Sequence, residues 1–463
     1  MSHNFSIKDL LFDHMSYCIK LFSITIYLLL IENLSAFSQV KLSLKQAINI
    51  ALTDNLQVKQ SQVTESIANQ NFRQSKFNIL PTLNANINES LNFGRSLDYT
   101  TYSYVTQKTN LANESITTSV TLFQGLQKIN QIAANRLLFQ SDKSATQKVK
   151  NDLMLEVINN YITILSSQDQ LTAAQQQLDL AKQQLDVSTK IFNAGKKMAS
   201  DVSVAKSQVA KAELNITTIQ NQLNNSVVNF KQLLNLSPET KINLSEPKND
   251  EVQFQEKATL DIYNKALHVL PETNKALYAR LYAEKQVMIQ KGAYYPSIVL
   301  SSGIASNYSH ILGMDSMFFT PQSRFLTQFK INLTEYVQVS LSIPIFNNFS
   351  TRINVKKAKL DLESARLDEE TTKNEIYKVV NQANEDLTAA KKTYEYSKEE
   401  YNATLDTYNT MYKRYLTGLS NPIDVNQAQN EMNSAQFDLI HAKYDLLLKS
   451  EIIDFYQGRS MDY

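Results

Sequence analysis

The sequence predicts a mixed fold: long α-helical coiled-coil hairpins joined to membrane-length β-strands, with the whole plan written twice along the chain. Three observations carry that expectation. Gly and Pro number only 8 each in 463 residues, far below average usage, so turns are few and elements are long. Stretches with helical three-and-four spacing run for dozens of residues, and between them lie four short segments of period two. A turn motif recurs in the same register in both halves of the chain.

Composition removes several classes of function. Lys and Arg total 46 against 45 Asp and Glu, which leaves no net field to recruit nucleic acid. A mean hydropathy of -0.31 excludes a bundle of apolar membrane helices. The histidines (His3, His14, His268, His310, His441) are scattered, and no two sit at ligand spacing. The single cysteine, Cys18, lies in a segment expected to be removed. No metal site, cofactor or thiol chemistry is expected. There is no phosphate-cradling Gly loop or nucleophile elbow, and the carboxylates are spread along solvated helix faces, so no enzyme is expected.

The chain opens with an export signal. Ile19 to Ile31 form a short apolar core behind Lys20, and Ala36-Phe37-Ser38 is a small-x-small cleavage signature. The run is well short of the roughly 20 residues that a spanning helix needs. The expected division is a signal peptide over 1–38, a first repeat over 39–248 and a second over 249–463. Met15 makes a more ordinary signal start than Met1. Cys18 precedes the apolar core, so it is not a lipid-attachment cysteine.

In the first repeat, Leu83, Ala85 and Ile87 alternate with Asn84, Asn86 and Asn88, and Ile116, Thr118, Val120 and Leu122 alternate with Ser and Thr. In the second, Ile298 and Leu300 begin a strand that continues through Ile304, and Val337, Val339, Leu341, Ile343 and Ile345 form the fourth. Each run is close to the roughly ten residues that cross a bilayer as a tilted strand. Each pair is expected to enclose a polar loop, Phe93 to Asn113 and Ser306 to Thr334. Tyr99, Tyr102, Tyr104, Tyr308, Phe318 and Phe319 populate those loops as interfacial aromatics or as ordinary packing. Four strands cannot close a barrel, since the smallest packed ones need about eight. An open edge in hydrocarbon would strand backbone groups at several kcal/mol each. If these strands are in a membrane, several chains share one barrel.

After each strand pair comes a helical pattern free of Gly and Pro, from about Leu126 to Lys190 and from about Ser350 to Tyr412. Each is a rod on the order of 100 Å. Leu171, Ala174, Leu178, Ala181, Leu185, Ser188 and Phe192 make a seam whose small residues permit close helix approach, answered by Val209, Ala212, Ile216, Ile219, Leu223, Ser226, Phe230 and Leu233. Between these helices Gly195 and Gly418 hold equivalent places. An aromatic, Phe192 or Tyr415, stands three before each Gly; Asp201-Val202 and Asp424-Val425 stand six and seven after; Ala205 and Ala428 stand ten after. Each Gly ends a helix in the left-handed conformation, and Ser200 or Asp201, and Asn421 ahead of Pro422, are candidates to cap the next helix.

The order helix, strand, strand, long helix, Gly turn, long helix, then the same again, resembles the TolC family of outer-membrane efflux and secretion channels. Leu44 to Asn55 is similar to the family's first amphipathic helix, Pro81 and Pro296 sit where it introduces strands, and Ile343-Pro344-Ile345-Phe346-Asn347-Asn348 resembles its strand-to-helix crossover. The resemblance implies a homotrimer with a shared twelve-stranded barrel in outer-membrane lipid and a helical tunnel through the periplasm. It also implies passive conduction of cargo handed over by a periplasmic adaptor and an inner-membrane pump. It further implies that the helical turns close the periplasmic end, with Asp201, Tyr415 and Asp424 as gate candidates, a role compatible with helix capping. The chain departs from the pattern at Ser420 and Gln427, where relatives carry a gate arginine and a further acid, and at Val120 to Gly125, which lacks the proline matched by Pro344. The competing architecture is a periplasmic coiled-coil adaptor or structural protein, but such proteins carry one hairpin where this chain carries two.

Overall fold

The computed structural model describes residues 40–98, 102–195, 198–245, 258–312 and 324–459. The expected export signal, with its cleavage site, lies outside them, as do Tyr99, Phe318 and Phe319.

The two halves use helices of matching length. The first runs β1 (Val40–Leu42), α1 (Leu44–Asp54, 11 residues), α2 (Leu56–Phe77, 22), β2 (Thr82–Asp98), β3 (Ser103–Gln124), α3 (Gln127–Asn193, 67), α4 (Ala199–Leu233, 35) and β4 (Ile242–Leu244). The second runs α5 (Thr259–Val269, 11), α6 (Pro271–Gly292, 22), β5 (Ser297–Leu312), α7 (Phe325–Ile331), β6 (Thr334–Ser342), α8 (Ser350–Leu416, 67) and α9 (Pro422–Tyr456, 35). Pro81 and Pro296 stand immediately before β2 and β5, and Pro344 stands between β6 and α8. At 1.5 Å per residue, α3 and α8 are each about 100 Å long.

Local chemistry sets the joints. Ser43 opens α1 with a reciprocal capping box: its Oγ accepts from the Gln46 N–H at 3.3 Å, and Gln46 Oε1 accepts from the Ser43 N–H at 3.0 Å. Asn55 ends α1 and caps α2, its Oδ1 accepting from the Gln57 N–H at 2.8 Å while its Nδ2 donates to the Leu233 carbonyl at 3.0 Å. Each strand-to-helix crossover is turned by two successive left-handed residues, Gly125-Leu126 in the first half and Asn348-Phe349 in the second. Gly125 is required for a second reason. A Cβ there would collide with the backbone of Gly292 at the end of α6.

The main core lies at mid-length of α3, where Leu153, Val157, Ile158, Ile162 and Leu165 pack with α1, Phe230 and Leu234. Tyr161 staples this core to the parallel β1–β4 pair: its hydroxyl donates to the Ser245 carbonyl at 2.6 Å and the Leu42 carbonyl at 3.1 Å. Burial pushes that phenol up to about 12. A second core joins α5, α8 and α9 through Ile262, Ala266, Ile376, Val380 and Ile453. On the seam between α3 and α4 the buried positions include Ala174, Ala181, Ser188, Ile219, Ser226 and Phe230. Small residues there set the close approach of the helices. Phe192, counted in the same seam from sequence, lies largely outside it.

The four long strands form one antiparallel sheet in the order β2-β3-β5-β6. Three expectations need correction here. The stretch from Phe93 to Asn113 is not a loop: β2 and β3 stay paired from Thr82↔Ser119 out to Asp98↔Ser103. Apolar alternation fades there, but backbone pairing does not need it, and cross-strand cation–π contacts of Lys108 on Phe93 and Arg95 on Tyr104 support the extension. Likewise β5 continues through Tyr308 to Leu312, and the described part of the expected second loop contains α7. Ile343 and Ile345 lie past the end of β6, where Pro344 cannot donate to a ladder.

Candidate functional site

Two regions carry the residues that the sequence singles out: the helical turns and the faces of the sheet. Both turns lie at one end of the molecule, because Ser188 near the end of α3 and Tyr415 near the end of α8 bring their hydroxyls within 3.4 Å. Gly195 and Gly418 are left-handed, with φ of 70° and 79°.

The capping expectation holds in one copy and fails in the other. Asn421 caps α9, its Oδ1 accepting from the Asp424 N–H at 2.9 Å, with Pro422 at the first helical position. The cap of α4 is instead Met198, which has no side chain able to accept, so neither Ser200 nor Asp201 holds that position. The register of the turn places them at the second and third positions of the helix. Asp201 and Asp424 are both first-turn acids, where the unsatisfied N–H groups of a helix end favour negative charge.

Each aspartate has a serine beside it. Ser200 Oγ donates to Asp201 Oδ1 at 3.4 Å, and Ser420 Oγ donates to Asp424 Oδ2 at 3.2 Å. Ser420 therefore engages the aspartate of its own turn. Gln427 donates through Nε2 to Glu431 Oε1 at 3.0 Å, so it too is tied within its own helix. Tyr415 is 1 % exposed, packed with Tyr408, Val425, Ala428 and Met432. Sequence reasoning passed over Lys413 and Arg414, exposed cations in the last turn of α8 beside this end. Their signal was position: cations favour a helix C-terminus.

Behind the turns, α3, α4 and α9 border an open groove of about 380 Å³, lined by Gln177, Gln208, Lys211, Asn430 and Asn433 among others. Asn433 Oδ1 is buried there without a hydrogen-bond partner.

The sheet has two unlike faces. Register places Leu83, Ala85 and Ile87 of β2, Ile116 and Val120 of β3, Ile298, Leu300 and Ile304 of β5, and Val337, Val339 and Leu341 of β6 on one side. Several of these are widely exposed, Ile87 at 79 % and Val337 at 76 %. A soluble sheet does not leave so large an apolar face open. The other side carries Thr82, Asn84, Asn86, Asn88, Ser115, Thr117, Ser301 and Gln338, neutral amides and hydroxyls. Tyr336 lies on that side over Gly303, where any Cβ would strike its ring. β2 and β6 are the two free edges. No described helix is long and apolar enough to cross a membrane, and no cluster among the described residues suits a metal ion.

Comparison with known proteins agrees with this architecture. A model of a family described as outer membrane efflux protein matches residues 47–236 and 262–459. No curated relative matches. Among solved structures, one of CusC, described in terms of folding and transmembrane channel formation, shares 17 % identity at a TM-score of 0.78, covering 91 % of this chain and 93 % of that one. The Campylobacter jejuni CmeC outer membrane channel shares 15 % identity at a TM-score of 0.76, covering 90 % and 87 %. The open state of the Neisseria gonorrhoeae MtrE outer membrane channel shares 17 % at 0.71, covering 90 % and 88 %. At these identities the structural likeness speaks for the fold, and the sequence match speaks for the family.

Proposed function

The chain belongs to the outer membrane efflux protein family, and on that premise we propose that it is the passive exit duct of a tripartite export system, working as a homotrimer. One observation carries the reading. A four-stranded sheet with an open apolar face and two free edges stands at one end of helical hairpins about 100 Å long. The apolar face suits lipid, and the free edges require neighbours, because unpaired backbone groups are not tolerated in hydrocarbon. Three chains of four strands make a twelve-stranded barrel, wide enough to leave a lumen. The neutral Asn, Ser and Thr face then lines the passage.

The helices continue that passage across the periplasm to the paired turns at Gly195 and Gly418, where Asp201, Asp424 and the buried Tyr415 are positioned to hold the entrance closed. The amide-lined groove between α3, α4 and α9 is the surface offered to a periplasmic adaptor, and an inner-membrane pump supplies the energy. Residues 1–38 act as the export signal, removed before assembly.

Planar-bilayer recording on the purified oligomer tests the reading. Discrete conductance steps from a heat-dissociable oligomer are expected. A soluble monomer that never inserts would overturn it and favour a periplasmic adaptor.

A further inference from the structure

One edge of the sheet is uneven. β6 has nine residues, whereas β5 has sixteen and β2, at the opposite edge, has seventeen. Pairing of β5 with β6 stops at Ala305↔Thr334. Beyond that point the same side of β5 is occupied by helix α7.

The helix occupies it with strand-like chemistry. The Ser309 N–H donates to Gln328 Oε1 at 3.0 Å, and Gln328 Nε2 donates to the Ser309 carbonyl at 2.9 Å. One side-chain amide thus makes both bonds that a strand partner would make. Two residues back on the same edge, the Asn307 carbonyl accepts from Asn332 Nδ2 at 2.8 Å. Ser306 Oγ donates to the Phe329 carbonyl at 2.8 Å, and Phe325 meets Tyr308 edge-on with centroids 5.2 Å apart. α7 is therefore fixed in the lane of β6, and it runs directly into β6 at Thr334. Its far side carries Leu326, 70 % exposed, and the exposed Lys330.

Barrel closure sets β6 against β2 of the next copy. Nine residues of β6 can ladder with at most nine of the seventeen in β2. The outer part of β2 then lacks a strand partner, and its exposed apolar residues include Leu91 and Phe93. What stands in the adjoining lane at that height is α7.

We propose that α7 of one copy seats against the outer half of β2 of the next, with Leu326 covering Leu91 and Phe93. α7 is a seam piece that seals the subunit boundary above the point where β6 ends. The inference rests on the shared barrel proposed above. A second copy, not lipid, is the occupant, because Gln328 and Asn332 hold α7 in the β6 lane and the next lane around a closed barrel is β2 of the neighbour.

Disulfide trapping in outer-membrane vesicles, in a Cys18→Ala background, tests it. Leu326→Cys combined with Leu91→Cys, and independently Leu326→Cys combined with Phe93→Cys, should give a ladder of covalent oligomers on a denaturing gel after mild oxidation. Reduction should collapse the ladder, and each single variant should run as monomer. The seam itself is read with Leu83→Cys or Ile87→Cys on β2 combined with Val337→Cys, Val339→Cys or Leu341→Cys on β6. Ladders from seam pairs with none from either α7 pair overturn the α7 contact, leave the barrel standing and make lipid the cover of α7. No ladder from any pair overturns the contact and the barrel together.

Discussion

The two helical turns share a backbone but not an interior. Both pivot on a left-handed glycine, and both carry a first-turn aspartate. In the second turn, the aromatic three residues before the glycine, Tyr415, is 1 % exposed, and Asn421 supplies a side-chain cap. In the first, the equivalent Phe192 is 40 % exposed, and the cap position is Met198, with no side-chain bond. The glycine pivot is common to both copies, and the packing beside it is not. The second turn is the better packed and better capped of the two.

The largest expected effect tests the aromatics directly. Tyr415→Ala removes a fully buried ring from the cluster with Tyr408, Val425 and Met432. It should cost about 3–5 kcal/mol of local stability, the range for emptying an aromatic site. Burial in this cluster also pushes the Tyr408 phenol up to about 12. Phe192→Ala should stay within about 1 kcal/mol, as exposed substitutions do. Amide hydrogen exchange at the two hairpin ends measures both. Equal losses would erase the distinction between the turns.

The caps come next. Asn421→Ala should lower stability by about 1 kcal/mol, and Met198→Asn should raise it by a similar amount. Met198 already has the extended backbone of a cap residue, φ -86° and ψ 155°, so an Asn side chain there needs no rearrangement. Thermal unfolding of the two variants checks the sign of each. A neutral Met198→Asn would mean that the first turn is held by something other than its cap.

How legible was this in the sequence? The long helices, the glycine turns and the four strands were, because period, Gly and Pro are local signals that neighbours do not alter. The reach of β2 and β3 through Phe93 to Asn113 was not: antiparallel pairing is backbone chemistry, and polar side chains conceal it. Helix α7 was hidden within an expected loop, since its decisive residues, Gln328 and Asn332, satisfy a distant strand edge and leave no periodic trace. Met198 as the cap was missed because two better capping types, Ser200 and Asp201, follow it closely. The inequality of Phe192 and Tyr415 was invisible for a similar reason, as burial there depends on α9 crossing α8.

Acid should separate the two copies as well. In the second, Glu369 takes bonds from Lys373 at 2.8 Å and Arg280 at 2.6 Å, joining α8 to α6. The Lys373 bond, then the Arg280 bond, hold its carboxyl below the ordinary range against the opposing push of burial. The folded state thus binds that proton less readily than the unfolded chain. Its contribution is complete above the unfolded value of about 4.3 and is lost as pH falls through the folded one. In the first copy, burial raises the Asp142 carboxyl, opposed by nearby Lys275 and reinforced by Glu65. The sign reverses there: ionised Asp142 costs stability at neutral pH, and protonation in acid relieves it. Melting curves from pH 7 downward should show Glu369→Gln flattening an acid loss and Asp142→Asn flattening an acid gain. The reverse assignment would refute the contrast.

The smallest expected effects concern the entrance. Asp424 is exposed and Asp201 partly so, and neither is a cap, so Asp→Ala at either should cost only about 0.3–1 kcal/mol from the lost charge at a helix N-terminus. Their influence on conductance is a separate matter. In the second turn the aspartate is held by Ser420 at 3.2 Å and follows the Asn421 cap, whereas Asp201 meets Ser200 only at 3.4 Å and follows a helix start with no side-chain cap. Asp424→Ala should therefore raise single-channel conductance more than Asp201→Ala does, with both variants folding normally. Equal increases would place the two acids in one symmetric contact. Conductance unchanged in both, with only the small stability loss, would reduce them to helix-end charges and move the closure to Tyr415 or to the exposed Lys413 and Arg414.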